Sequence, residues 1–112
     1  VVVPLYQAKA EFFRTLGHPA RIRVLELLAE QDRAVHELRA AIDVEASNLS
    51  QQLGVLRLAG LVTQRREHGE VIYTLALPEV RDLLLAARRI LETKSSGQGG
   101  LVDELSRTGE PR

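Results

Sequence analysis

A chain of 112 residues fits one domain, and its 45% hydrophobic content allows a modest core that a partner subunit would help to complete. No apolar run approaches the roughly 20 residues needed to cross a bilayer, and Val1 to Leu5 is too short and lacks the basic start of a secretion signal, so a cytoplasmic protein without a membrane partner is expected. The absence of Cys excludes disulfides, thiolate metal sites and cysteine nucleophiles, and the balance of 15 basic against 15 acidic residues leaves charge placement, not charge sum, to select a polyanionic partner.

Leu5, Ala8, Phe12 and Leu16 fall at helical spacing and predict a first helix over Leu5 to Leu16 with one buried stripe, ended by Gly17. His18 and Pro19 open a second helix, because Pro is pre-set for the first helical position, and Ile22, Leu25, Leu28 and Ala29 form its core face. Gln31 to Arg33 read as a polar turn. A short third helix follows with Val35, Leu38 and Ile42 on one side, and Asp43 to Ala46 turns into a fourth.

The fourth helix carries Leu49, Leu53 and Leu56 on its buried face, which points Ser47, Gln51 and Gly54 the other way, flanked by Asn48 and Ser50. Beyond Gly60, Leu61 to Arg65 reads as a strand, Glu67 to Glu70 as a turn around Gly69, and Val71 to Leu77 as the return strand. Pro78 starts a fifth helix through Glu92. Its apolar positions Val80, Leu83, Leu84, Ala87, Ile90 and Leu91 exceed what so small a domain needs for itself. From Thr93 the chain is rich in Ser and Gly, so residues 1–92 are expected to form the domain and residues 93–112 a flexible, disordered tail.

A small, polar helical face of Ser, Asn and Gln suits a DNA major groove, since Asn and Gln can pair bidentately with adenine and Ser can donate to bases or phosphates. On an isolated helix such a face is ordinary solvated surface; the context reverses that reading. A short preceding helix, a tight turn and a downstream hairpin surround it, and Ser47 to Arg66 holds three arginines, Arg57, Arg65 and Arg66, with no acid. Arginines so placed neutralise phosphates without carrying sequence information. Catalysis is not expected: no nucleophile, base and orienting group lie close in the predicted fold, and no glycine-rich phosphate loop follows a strand.

The segments LGHPARIRVLELL (Leu16 to Leu28), SNLSQQLGVLRLAGLV (Ser47 to Val62) and RREHGEVIYTL (Arg65 to Leu75) resemble the ArsR/SmtB-type bacterial winged helix-turn-helix repressors, in order over roughly residues 10 to 92. The resemblance implies a mainly α fold with a small β-hairpin (α+β): four helices, a two-stranded wing and a fifth helix. It further implies a homodimer built on the first and fifth helices, through Leu5, Phe12, Leu83, Leu84, Ala87, Ile90 and Leu91, that represses transcription at a pseudo-palindromic double-stranded DNA operator. Base and phosphate contacts would fall on Ser47, Asn48, Ser50 and Gln51, with Gln52 beside them. Wing contacts would fall on Arg65, Arg66 and His68.

Three departures from the family pattern bear on affinity. Gln51 stands where many relatives have His, and Gly54 where Lys is common, which costs roughly 1 kcal/mol of helix propensity relative to Ala and removes a phosphate partner. Glu45 stands at the cap, where Ser or Asp would bond the free N–H groups better. The family's metal positions are also altered: a Cys-x-Cys pair would fall on Ala34 and His36, and an Asp/His/Glu set on Leu77, Glu79, Ile90 and Thr93. One ligand per site is too few for a metal, so no metal or cofactor is expected. The open alternatives are an unidentified small-molecule effector, a site assembled around His36 with an unconventional metal, a protein partner, or no effector at all. A winged helix that binds protein instead of DNA is the competing function, suggested by the neutral charge and by Leu58 and Gly54 on the exposed side.

Overall fold

A computed structural model describes residues 2–95 of the chain; the expected tail beyond them lies outside the described residues. The elements are α1 (Leu5–Leu16), α2 (Pro19–Glu30), β1 (Arg33–Ala34), α3 (Val35–Ala41), α4 (Ala46–Leu58), β2 (Val62–Glu67), β3 (Glu70–Leu75) and α5 (Glu79–Lys94). The five helices and the hairpin stand in the expected order, and one strand is added: β1 pairs antiparallel with β3, Arg33 opposite Tyr73 and Ala34 opposite Ile72, giving the sheet order β1-β3-β2. Two residues carry no periodicity that a sequence reading can detect, so the segment read as a polar turn ends in a strand that only β3 defines.

Local chemistry sets the helix ends. Pro19 sits at the first position of α2, and the His18 Nδ1 accepts from the Ala20 N–H at 3.1 Å, so the histidine is the cap. In α3 the Glu37 carboxylate accepts from the Ala34 N–H at 2.8 Å. The α4 cap, Glu45, makes no side-chain capping bond. At the far end of α4, Gly60 takes φ +78°; its N–H donates to the Arg57 carbonyl and that of Leu61 to the Leu56 carbonyl, each at 3.0 Å. This is a Schellman closure, which needs a left-handed residue where glycine stands.

The core is one cluster in which Val24, Leu25 and Leu28 of α2, Leu38 of α3, Leu49, Leu53 and Leu56 of α4, Leu61 just before β2, Val62 and Tyr73 of the sheet, and Val80 of α5 meet. The stripe of α4 therefore seats on α2 as its spacing requires. The stripe of α1 does not: Leu16 is buried and Phe12 half-buried, but Ala8 and Leu5 are exposed, because the helix runs off the edge of the core. Likewise Ile22 is only half-buried.

Gly60 and Gly54 make opposite predictions. A Cβ at either position would meet nothing within 4 Å, so backbone conformation alone decides. Gly60→Ala is expected to destabilise by about 1 kcal/mol, because an L residue there must occupy the left-handed region. Gly54→Ala, inside α4, is expected to stabilise by about 1 kcal/mol. Thermal melts of the two variants at equal protein concentration check the signs.

Candidate nucleic-acid interface

Because Leu49, Leu53 and Leu56 anchor α4, Ser47, Asn48, Ser50 and Gln51 come to lie exposed on its other side, with Arg57 exposed in the last turn. Gly54 is half-buried, and since no neighbour requires a glycine there, its bare backbone is a surface that another molecule can approach closely.

Gln52 departs from its expected place beside these residues on the outward face. It is 6% exposed and lies against α2: Arg21 Nε donates to Gln52 Oε1 at 2.8 Å, and Gln52 Nε2 donates to Asn48 Oδ1 at 2.9 Å. The cause is helical spacing, since Gln52 follows Leu49 by three residues and precedes Leu56 by four, which puts it on the buried stripe. That spacing was the available signal. Arg21, held also by its Nη1 on the Thr15 carbonyl at 2.9 Å, had none, being 31 residues away.

The wing is a hairpin with Glu67 opposite Glu70 and a two-residue turn, His68 at φ +52° and Gly69 at φ +79°. Two left-handed residues in succession match the twist of the strands, and His tolerates that region better than most side chains. The two arginines of β2, expected to act together, are placed differently. Arg65 donates through Nε to Glu67 and through Nη1 to Asp32 and Thr74, each at 2.9 Å, and Glu67 first, then Asp32, raise its pKa above the ordinary arginine value. Arg66 and Arg57 are exposed and carry no ion pair among the described residues. The locally acid-free segment is thus acid-free in sequence only; Asp32 arrives from the loop after α2.

His36 is exposed, and its Nδ1 stands 3.0 Å from Glu70 Oε1 on β3. Of the other family metal positions, Ala34 is a buried strand residue, Leu77 and Ile90 are exposed apolar side chains, and Glu79 begins α5. Among the described residues no three His, Asp or Glu side chains group as a metal site would need. These residues do not fit the family's metals.

A family model described as bacterial regulatory protein, arsR family, matches residues 18–64, which run from the cap of α2 into β2. The HTH-type transcriptional regulator Rv0081 of Mycobacterium tuberculosis, itself described as uncharacterized, is 51% identical over 107 residues, 95% of this chain and 94% of its own. The chain belongs to the ArsR family. Its fold agrees: the crystal structure of Rv0081 superposes with a TM-score of 0.77 at 55% identity, covering 85% of this chain and 96% of that one. A biofilm growth-associated repressor of Agrobacterium fabrum is 44% identical over 77 residues, 69% of this chain and 66% of its own. The homodimeric winged helix-turn-helix DNA-binding domain Mb0332 of Mycobacterium bovis has a TM-score of 0.68 at 28% identity, covering 79% and 82% of the two chains. This ArsR-family protein is accordingly a DNA-binding, helix-turn-helix transcriptional regulator with bacterial homologues, and not an enzyme. No described helix is long and apolar enough to cross a membrane.

Proposed function

We propose that the protein is a homodimeric repressor that holds a pseudo-palindromic operator with α4 in the major groove and the hairpin on the flanking backbone. The observation that carries this reading is the outward face of α4, where Ser47, Asn48, Ser50 and Gln51 are exposed between no acidic neighbours on the helix, with Arg57 at its end. Dimer formation is supported by the apolar side chains that α1 and α5 leave uncovered, among them Leu5, Phe13 and Ile90, and by the homodimeric state of the Mb0332 domain. The repressor sign is supported by the A. fabrum relative. Residues 1–92 serve as one DNA-binding and dimerising unit, and its effector, if any, is not one of the family's metals.

The test is a gel-shift titration against the gene's own promoter at several salt concentrations. Arg66→Ala is expected to weaken operator and random DNA alike and to flatten the slope of log affinity against log salt by about 0.9 per lost phosphate contact, so about 2 for a dimer. Arg57→Ala acts in the same way. Arg65→Ala changes the slope less, because Glu67 and Asp32 already neutralise that guanidinium. Equal binding of operator and random DNA without salt dependence would sink the proposal and favour a protein-binding winged helix, for which the 93% exposed Leu58 is the natural contact.

A further inference from the structure

The Arg21, Gln52 and Asn48 chain has a direction. A guanidinium only donates, so the Gln52 atom that faces Arg21 Nε at 2.8 Å must be the amide oxygen. The amide nitrogen of Gln52 then faces Asn48 and donates to its Oδ1 at 2.9 Å. Asn48 in turn is left with its Nδ2 hydrogens to offer outward from the third position of the exposed face of α4. No amide flip escapes this order: reversing Gln52 would aim N–H against N–H at Arg21, and reversing Asn48 would do the same at Gln52. Arg21 cannot turn away freely either, since its Nη1 holds the Thr15 carbonyl, and no buried side-chain nitrogen or oxygen among the described residues lacks a partner.

We infer that Gln52 and Arg21 are positioning residues that fix Asn48 as a hydrogen-bond donor, so that Asn48 selects a base presenting acceptors in the major groove, guanine above all. The inference rests on the reading of α4 as the groove helix. Guanine shows two adjacent acceptors, N7 and O6, to a donor amide. Adenine, the usual bidentate partner of Asn, needs the amide to accept from N6 as well as donate to N7, and the oxygen that would accept is turned toward Gln52 Nε2 and not set beside Nδ2 toward the base. The buried glutamine therefore sets specificity at a base it does not touch.

Selection of bound sequences from a randomised operator library tests this, with wild type, Asn48→Ala, Gln52→Glu and Gln52→Met compared at one salt concentration. Wild type is expected to enrich guanine roughly 5- to 100-fold at one symmetric pair of positions, and Asn48→Ala to lose that enrichment there and nowhere else. In Gln52→Glu the carboxylate pairs with Arg21 and only accepts, so Asn48 must turn round, donate to it and expose its oxygen. Preference at the same positions should then move to adenine or cytosine, which present amino groups. Gln52→Met, which cannot orient the amide, should accept guanine and adenine about equally, and it keeps the question decidable if the Glu variant folds poorly. Unchanged base preferences in both Gln52 variants, or a uniform loss of affinity at every sequence, would overturn the inference while leaving the DNA reading intact. A wild-type protein that enriches no sequence would instead overturn the DNA reading itself.

Discussion

Ile90→Asp is expected to turn the protein into a monomer at micromolar concentration and to weaken operator binding at least about 100-fold, while leaving the protomer folded. Apolar exposure rises along α5, from Val80 at 3% through the half-buried Leu83 and Leu84 to Ile90 at 60% and Leu91 at 43%. It rises toward the start of α1 as well, from Leu16 to Leu5 at 70%. Both stripes thus leave the protomer core at one end, and together with Phe13 and Tyr6 they leave apolar surface uncovered on both helices. A second copy related by a two-fold axis would cover it, and an Asp at position 90 would place desolvated like charges on both sides of that axis. Losing the dimer loses the second half-site, whose binding is otherwise intramolecular.

The choice of residue matters. Leu83, Leu84 and Phe12, expected at the interface, pack against the protomer core, so a charge at any of them would unfold as well as dissociate. Ile90 lets the two effects be separated. Sedimentation velocity and circular dichroism on the same samples check the result; a wild type that is monomeric at micromolar concentration, or an Ile90→Asp variant that stays dimeric, would end the dimer proposal.

Leu56→Ala should be strongly destabilising, costing about 2 to 5 kcal/mol, whereas Leu58→Ala two residues later should fall within about 0.5 kcal/mol of wild type. Leu56 is fully buried in the core cluster, and Leu58 is 93% exposed. Removing the Leu56 side chain forfeits its transfer free energy and leaves a cavity in a core too small to collapse around it. Against a total stability of about 5 to 15 kcal/mol this is a large fraction. Urea unfolding midpoints at one protein concentration, held constant because a dimer couples stability to concentration, would show the contrast. Equal midpoints would mean that α4 is not anchored through its leucine stripe.

The features that could be read from the chain are those whose cause is local. Pro19 after His18, Gly60 past the end of α4, Gly69 in the wing turn, and the leucines at 49, 53 and 56 each act within one turn of helix or one hairpin. Short-range sterics and periodicity specify them, so five helices and a wing were legible without a structure. The same holds for the exposed polar face of α4, which is whatever the leucine stripe leaves over.

What only the tertiary structure decided involves residues brought together from far apart. The pairing of β1 with β3 joins positions about 40 apart in sequence, and Arg65 meets Asp32 from 33 residues away. That capture separates two adjacent arginines into one neutralised and one exposed. Gln52 could be placed on the inward face by its spacing, but its partner Arg21 and hence the direction of the Asn48 amide could not, because hydrogen-bond polarity passes through contacts that periodicity does not encode. Sequence by itself determined which helix faces outward; packing between α2 and α4 decided what chemistry that face presents.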